Sequence, residues 1–312
     1  MQGAVLEAAH ADAFRHAVLF YRGLAEYRAR VAAFVQAGLA RREPVLLATR
    51  QRALPNELHG SGLVTLTDIG QLGRNPARII PALRAFADNF AGQQVRIVCE
   101  FIWPGRSLAE IRQAAWNESL MDRAMVGVPA TVVCPYSALE LEASELSDAG
   151  CTHQWELGSG DFLPSNAYGG PAALPAACRA EPAPPPANAE TIEYLSDLRP
   201  LRALVARACE HAGLAAHRAT DLTIAVSELA ANTLRHTAGS GIATAWQADG
   251  EMLCEISDSG FISDPLVGLH RPSLDEPGGQ GLWLVNQVCD LVELRSSATG
   301  TTVRLHMNLD PK

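Results

Sequence analysis

The chain has 312 residues, 48% of them hydrophobic and 19% charged, a balance that excludes a disordered chain and leaves room for two ordinary globular domains. Its formal net charge of −9 argues against a general nucleic-acid binder and against adhesion to an anionic membrane surface. No apolar run approaches the roughly 20 residues of a membrane span, and the start "MQGAVLEAAHADAFRH" lacks the basic and apolar regions of a secretory signal, so a cytoplasmic protein is expected. Seven scattered cysteines without a Cys-x-x-Cys support neither a disulfide framework nor a zinc site. Cys151 and His153 offer two donors but no partners in sequence, and both read as core or surface residues.

In the first half, helical patterns near residues 24–40, 77–91, 107–126 and 138–148 are interleaved with runs of strand length. These are "PVLLAT" (44–49), "LVTLTD" (63–68), "VRIVCEF" (95–101) and "ATVVCPY" (130–136). The alternation predicts an α/β domain, a mostly parallel sheet with helices on both faces. Such sheets take ligands beyond the carboxyl ends of their strands. Those ends offer Glu100, Phe101 and Trp103 after one strand, and Pro135 and Tyr136 after another, and Glu100, Trp103 and Tyr136 make the prospective sensory site. "TRQRALPNELHG" after "PVLLA" is no phosphate-binding P-loop. No catalytic constellation is visible in this half. The segment "HAVLFYRGLAEYRARVAAFVQAGLARREPVLLAT", with "GRNPARIIPALRAFAD", "VRIVCEFIWPGRSLAEIRQAAWNESL" and "ATVVCPYSALE", resembles the MEDS sensory domain. The likeness covers about residues 16–168, reaches "GCTHQWELGSGDFLPSNAY", and implies a sensor of an unidentified small molecule. Relatives usually carry Asp after Cys-Pro-Tyr and Pro after Thr-His, where this chain has Ser137 and Gln154.

The run "GGPAALPAACRAEPAPPPANAE" (169–190) has no periodicity and the composition of a semi-rigid connector. It divides the chain into a domain over 1–168, a linker over 169–190 and a domain over 191–312. The second domain opens with a helix near 198–212 and continues with an amphipathic helix that ends in "SELAANTLRHT" (227–237). "IATAWQADGEMLCEIS" then reads as two strands joined at Asp249-Gly250, a strong hairpin signal, and runs into "DSG" (258–260). A Gly-rich turn in "PGGQGLWLVNQVCD" leads into another helix, and "LVELRSSATGTTVRLHMNL" closes the chain as a hairpin. Helices on one face of an antiparallel sheet make an α+β sandwich.

Three separated features of this half suit one ligand. Glu228 and Asn232 lie one helical step apart beside the apolar stripe of Leu222, Val226 and Leu229. Asp258 and Gly260 stand at a strand end, and Gly278, Gly279 and Gly281 open a helix. A glycine-rich helix start holds phosphates, because bare N–H groups and the helix dipole favour anions. Asn232 offers a neutral oxygen to Mg²⁺. Glu228 can take a proton from an attacking hydroxyl or water, and Asp258, an acceptor, suits the exocyclic amine of adenine. The combination points to Mg-ATP. "AVSELAANTLRHT", "DSGFISDP", "GGQGLWLV" and "GTTVRL" resemble, in that order, the N, G1, G2 and G3 boxes of GHKL-type (HATPase_c) ATPases, closest to the anti-sigma-factor serine kinases. The likeness covers about residues 195–309. It implies a GHKL/Bergerat-type sandwich with Glu228 as catalytic base, Asn232 on Mg²⁺, Asp258 on adenine and Gly260 allowing close approach. It also puts Gly279 and Gly281 around the phosphates and Thr301 near the adenine pocket. His236 completes the helix-face series 228, 232, 236, and reads equally as a neighbour of phosphate or as a neutral core or surface histidine. Leu282, counted with the nucleotide residues, reads with Trp283 as helix core. The G1 box has Ile262 where relatives carry a second glycine.

The resemblance implies a ligand-responsive regulator, a serine/threonine-protein kinase that sequesters a sigma factor and phosphorylates a serine of a STAS-type anti-sigma-factor antagonist. A homodimer is carried with it, while direct nucleic-acid and membrane contacts are not expected. One alternative is an ATP-binding pseudokinase that acts by sequestration. A sensor histidine kinase is disfavoured, because the linker has no His and the following helix only His211.

Overall fold

The computed structural model describes residues 14–50, 62–174, 178, 180–237, 239–272 and 280–309. Two compact units share the chain, Met1–Cys178 and Arg179–Lys312. The first contains β1 (Phe14–Tyr21), α1 (Gly23–Ala40), β2 (Val45–Thr49), β3 (Val64–Asp68), α2 (Ile69–Leu72), α3 (Ile79–Asp88) and β4 (Val95–Cys99). It continues with α4 (Leu108–Ser119), α5 (Met121–Ala124), β5 (Ala130–Ser137), α6 (Ala143–Thr152), β6 (Trp155–Leu157) and β7 (Phe162–Pro164). The sheet order is β3-β2-β4-β5-β1-β6-β7, parallel throughout except for the β6–β7 hairpin. The expected α/β class therefore holds, with added strands. Sequence periodicity misses β1, which lies beside β5 in mid-sheet, because "FRHAVLFY" runs directly into the helical pattern that follows it.

Local chemistry sets the helix ends. Ser107 Oγ accepts from Glu110 N at 3.2 Å while Glu110 Oε2 accepts from Ser107 N at 2.6 Å, a reciprocal capping box that starts α4. On one face of the sheet Tyr27, Val31, Phe34 and Val35 of α1 bury against Leu19, Leu47 and Val98. The opposite face carries His16, Cys134 and Tyr136, which meet Glu118 of α4 and His153 after α6.

The second unit contains β8 (Glu190–Tyr194), α7 (Arg199–Ala212), α8 (Ala216–His236), β9 (Gly241–Ala248), β10 (Glu251–Asp258), α9 (Gln280–Val288), β11 (Leu291–Ser297) and β12 (Gly300–Asn308). Its sheet, ordered β11-β12-β10-β9-β8, is antiparallel. Asp249 (φ 50) and Gly250 (φ 79) both adopt positive φ, the conformation that a two-residue turn between twisted strands requires. The helices pack on one sheet face, where Leu204, Val205, Leu222, Val226 and Val285 bury against Met252, Ile256, Val303 and Leu305. The Pro/Ala/Gly-rich run carries structure at both ends. Its 3₁₀ turn Gly170–Ala173 lies in the first unit, and the Ala180 and Ala183 carbonyls accept from Arg295 Nε (2.9 Å) and Arg304 Nη2 (2.6 Å) in the second.

The other sheet face holds a buried charge network. Arg304 pairs with Glu255 (Nε–Oε2 2.9 Å) and stacks on Trp246 at 4.9 Å. His306 lies between Glu251 (Nδ1–Oε2 2.8 Å) and Glu293 (Nε2–Oε1 3.0 Å). Burial alone would lower the His306 pKa, but the hydrogen bonds and charges of the two carboxylates outweigh it and raise it to about 9. The folded value lies above the unfolded one of about 6.5, so this stabilisation is complete below about pH 6.5 and is lost as pH rises through about 9. The loss is on the order of 3 kcal/mol. Urea unfolding at pH 6 and pH 9.5 should show this drop, and His306→Gln should flatten it; an equal drop in the variant would exclude His306 as its source.

Candidate functional site

In α8 the Leu222, Val226 and Leu229 stripe is buried in the core, which leaves Glu228 and Asn232 half-buried on its flank. Both line a cleft of about 630 Å³ together with His236, Asp258, Gly260, Gly281, Leu282 and Thr301. That volume lies within the 300–1,000 Å³ or so usual for small-ligand sites. Glycine 281 sits in the first turn of α9, and a Cβ there would lie 3.1 Å from Asn232 Nδ2 and 3.2 Å from Glu228 Oε2. The carboxylate and amide thus face a backbone surface that has no side chain of its own. Among the described residues no hydrogen bond or ion pair engages Glu228 or Asn232, so their polar atoms remain available to the cleft. The nearby Gly278 and Gly279 lie outside the described residues.

Asp258, at the end of β10, is by contrast locked. Its Oδ2 accepts from Thr233 Oγ1 at 2.6 Å and its Oδ1 from Gly260 N at 2.7 Å. Tyr194 OH donates to Thr233 Oγ1 at 2.9 Å, which turns the threonine proton toward the aspartate. Thr301 faces Asp258 across the β10–β12 ladder and donates to Gly260 O at 2.9 Å. Its hydroxyl meets Ser296 Oγ at 2.7 Å, which accepts from Ile262 N at 2.8 Å. A Cβ on Gly260 would lie 2.8 Å from Thr237 Cγ2, so the close approach at this position requires glycine. Ile262 lines the cleft, and Leu282 serves both cleft and core.

Sequence reasoning missed Tyr194, Thr233 and Ser296, which hold the aspartate and the glycine turn. It also missed Arg235, an exposed cation on the cleft. Thr233 had a signal, because a hydroxyl at i+4 from Leu229 sits on the apolar stripe and must find a partner. Arg235, three residues after Asn232, shares its helix face. Tyr194 had none, since its strand was not legible.

Residues 193–307 match the family model described as a histidine kinase-like ATPase domain, and residues 15–154 match that of MEDS, the methanogen/methylotroph, DcmR sensory domain. The chain joins a MEDS domain to a histidine kinase-like ATPase domain. No curated protein matches it. A sensory domain on such an ATPase is the build of a regulatory, kinase-like protein, and the ATPase domain carries ATP binding with it. No helix among the described residues is long and apolar enough to cross a membrane.

The MEDS domain has its own cleft, of about 440 Å³, beyond the carboxyl ends of β1, β2, β4 and β5. Tyr21, Arg50, Glu100, Trp103 and Ser137 line it. Glu100 accepts from Tyr27 OH (3.1 Å) and Arg50 N (2.9 Å), and Trp103 packs under the Arg106 guanidinium at 3.5 Å. Burial raises the Glu100 pKa, against the opposing pull of those two hydrogen bonds and the Arg50 charge. Tyr136 does not join Glu100 and Trp103. Alternation along β5 turns it away from the cleft, where it is fully buried, donates to Glu118 Oε2 and meets the His153 ring edge-on at 6.0 Å. Ser137, one of the two departures from the MEDS pattern, lines the cleft instead.

Proposed function

We propose that this protein is an anti-sigma-type regulator whose ATPase domain binds Mg-ATP, transfers the γ-phosphoryl group to a serine of a STAS-type antagonist and sequesters a sigma factor. The observation that carries the reading is the convergence of Glu228, Asn232 and Gly281 above the locked Asp258 in one cleft. In this reading Asp258 spends its remaining acceptor capacity on the adenine amine. Asn232 would hold Mg²⁺, an ion that supplies charge neutralisation at the phosphates. Glu228 takes the proton of the serine hydroxyl as its oxygen bonds the γ-phosphorus and the bond to the bridging oxygen of ADP breaks. Arg235 and His236 stand at the same cleft as further partners for phosphate oxygens.

The MEDS domain, in this proposal, takes a small molecule at the Glu100–Trp103 cleft and biases the activity of the ATPase domain. Labelled γ-phosphate from ATP, tested on the serine antagonists of the source organism, should appear on the antagonist at about one per chain. Binding of ATP without transfer would instead favour sequestration by a pseudokinase, a reading supported by Ile262 in the cleft where relatives have glycine. Transfer rates that are the same in the full chain and in residues 179–312 would remove the regulatory role of the MEDS domain.

A further inference from the structure

Four side chains far apart in sequence meet behind the MEDS sheet, on the face away from α1. His16 comes from β1, Glu118 from α4, Cys134 from β5, and His153 from the residue after α6. All are buried, at 0%, 1%, 0% and 0% exposure, and one donor atom from each lies within 4.8 Å of all the others. Cys134 Sγ is 3.5 Å from His16 Nε2, His153 Nε2 is 3.3 Å from Glu118 Oε1, and the two imidazole rings lie 4.0 Å apart.

The hydrogen bonds around this group leave a conflict that a cation resolves. His153 Nδ1 lies 2.7 Å from the Ala149 carbonyl, an atom that only accepts, so Nδ1 carries the proton. In the neutral ring Nε2 then presents a lone pair, and it points at a carboxylate oxygen. Neither His153 Nε2 nor Glu118 Oε1 has a hydrogen-bond partner, and both are buried. Two facing acceptors in a dry interior are costly. A proton on His153 would settle that one pair as an ion pair at 3.3 Å, and Cys134 Sγ meets His16 Nε2 at 3.5 Å, but neither contact uses the convergence of all four donors on one point, which a cation does.

We propose that His16, Glu118, Cys134 and His153 hold one divalent transition-metal ion of the zinc type. The two imidazole nitrogens, the thiolate and the carboxylate form the donor set that Zn²⁺ takes in four-coordinate sites. Bonds of about 2.0–2.3 Å in a tetrahedron need donor atoms about 3.3–3.8 Å apart, which a small contraction of this group supplies. The charges balance, since a thiolate and a carboxylate neutralise the dication. Binding releases the Cys134 thiol proton to solvent, with no change of oxidation state. The surroundings have the form that metal-ligating histidines require, with the outward nitrogen turned to an acceptor. His153 Nδ1 faces the Ala149 carbonyl, and His16 Nδ1 faces Asp122 Oδ1 at 3.6 Å. Asp122 is itself held by Tyr168 OH at 2.8 Å, and the second oxygen of Glu118 is held by Tyr136. This gives the buried Tyr136 a positioning role on the metal face of the sheet. Four protein donors leave no open position, so the ion ties β1 and β5 to α4 and to the residue after α6 instead of performing hydrolysis.

The full-length chain, incubated with Zn²⁺ and desalted, should retain about one zinc per chain by elemental analysis. Cys134→Ser and His153→Gln should each retain less than about a tenth, whereas Cys254→Ser, in the ATPase domain, should match the unmutated chain. Loading the unmutated chain with Co²⁺ needs no variant, and should give the intense visible bands of a tetrahedral ion and a thiolate charge-transfer band in the near ultraviolet. A chain that keeps under about a tenth of an equivalent of zinc, a cobalt spectrum without the thiolate band, or full zinc retention in Cys134→Ser would overturn the proposal.

Discussion

Replacing Glu228 by Gln is expected to lower phosphoryl transfer by about 10²–10⁴-fold while leaving the affinity for Mg-ATP within about two-fold. The amide keeps the shape of the carboxylate at the half-buried flank of α8, where Gly281 across the cleft has no side chain to disturb. What it loses is basicity. A group that acts only when the serine proton moves should affect turnover and not ground-state binding. The absence of any described hydrogen bond to Glu228 strengthens the expectation, because no structural partner is disturbed. Single-turnover transfer and equilibrium binding, measured on the same preparation, separate the two quantities. Full transfer in the variant would show that Glu228 is not the base.

The second large effect is expected at Asp258. Asp258→Asn should weaken Mg-ATP binding by about 100-fold, close to 2.7 kcal/mol, within the range for leaving buried polar groups mismatched. Asp258 accepts from both Thr233 Oγ1 and Gly260 N, and its remaining lone pairs face the cleft. An amide has one accepting atom. Its NH₂ group must then oppose either the Thr233 hydroxyl, already committed by Tyr194, or the Gly260 N–H, and the amine of the bound base loses an acceptor. In the unmutated protein Mg-ATP at 100 times its Kd adds about 2.7 kcal/mol to the stability of the ATPase domain. In the variant at the same nucleotide concentration that gain should fall to about 0.4 kcal/mol, and the rise in melting temperature with it. A melting temperature without nucleotide close to that of the unmutated chain separates lost binding from lost folding. An unchanged nucleotide-dependent rise would place adenine elsewhere.

What the sequence determined by itself was local. The apolar spacing of Leu222, Val226 and Leu229 placed Glu228 and Asn232 together on one flank of a helix, because a 3.6-residue period leaves no other arrangement. Asp249-Gly250 specified its own turn, since both residues tolerate the positive φ that the hairpin demands. The order of the ATPase boxes was likewise legible, and with it most of the cleft. Three outcomes were decided only by tertiary structure. Tyr136 follows a strand end in sequence, yet the pleat turns it from the ligand cleft into the opposite face. The Asp258 lock depends on Tyr194, whose edge strand has no periodic signal and forms only by pairing with β9. The four-residue cluster was invisible because Cys151 and His153 looked partnerless. The real partners of His153 arrive on other elements, and His16 and Cys134 are 118 positions apart. Propensity and periodicity act over one segment at a time. Which side chains meet across such separations is settled by strand order and register, here the parallel pairing of β1 with β5, that only the assembled sheet supplies.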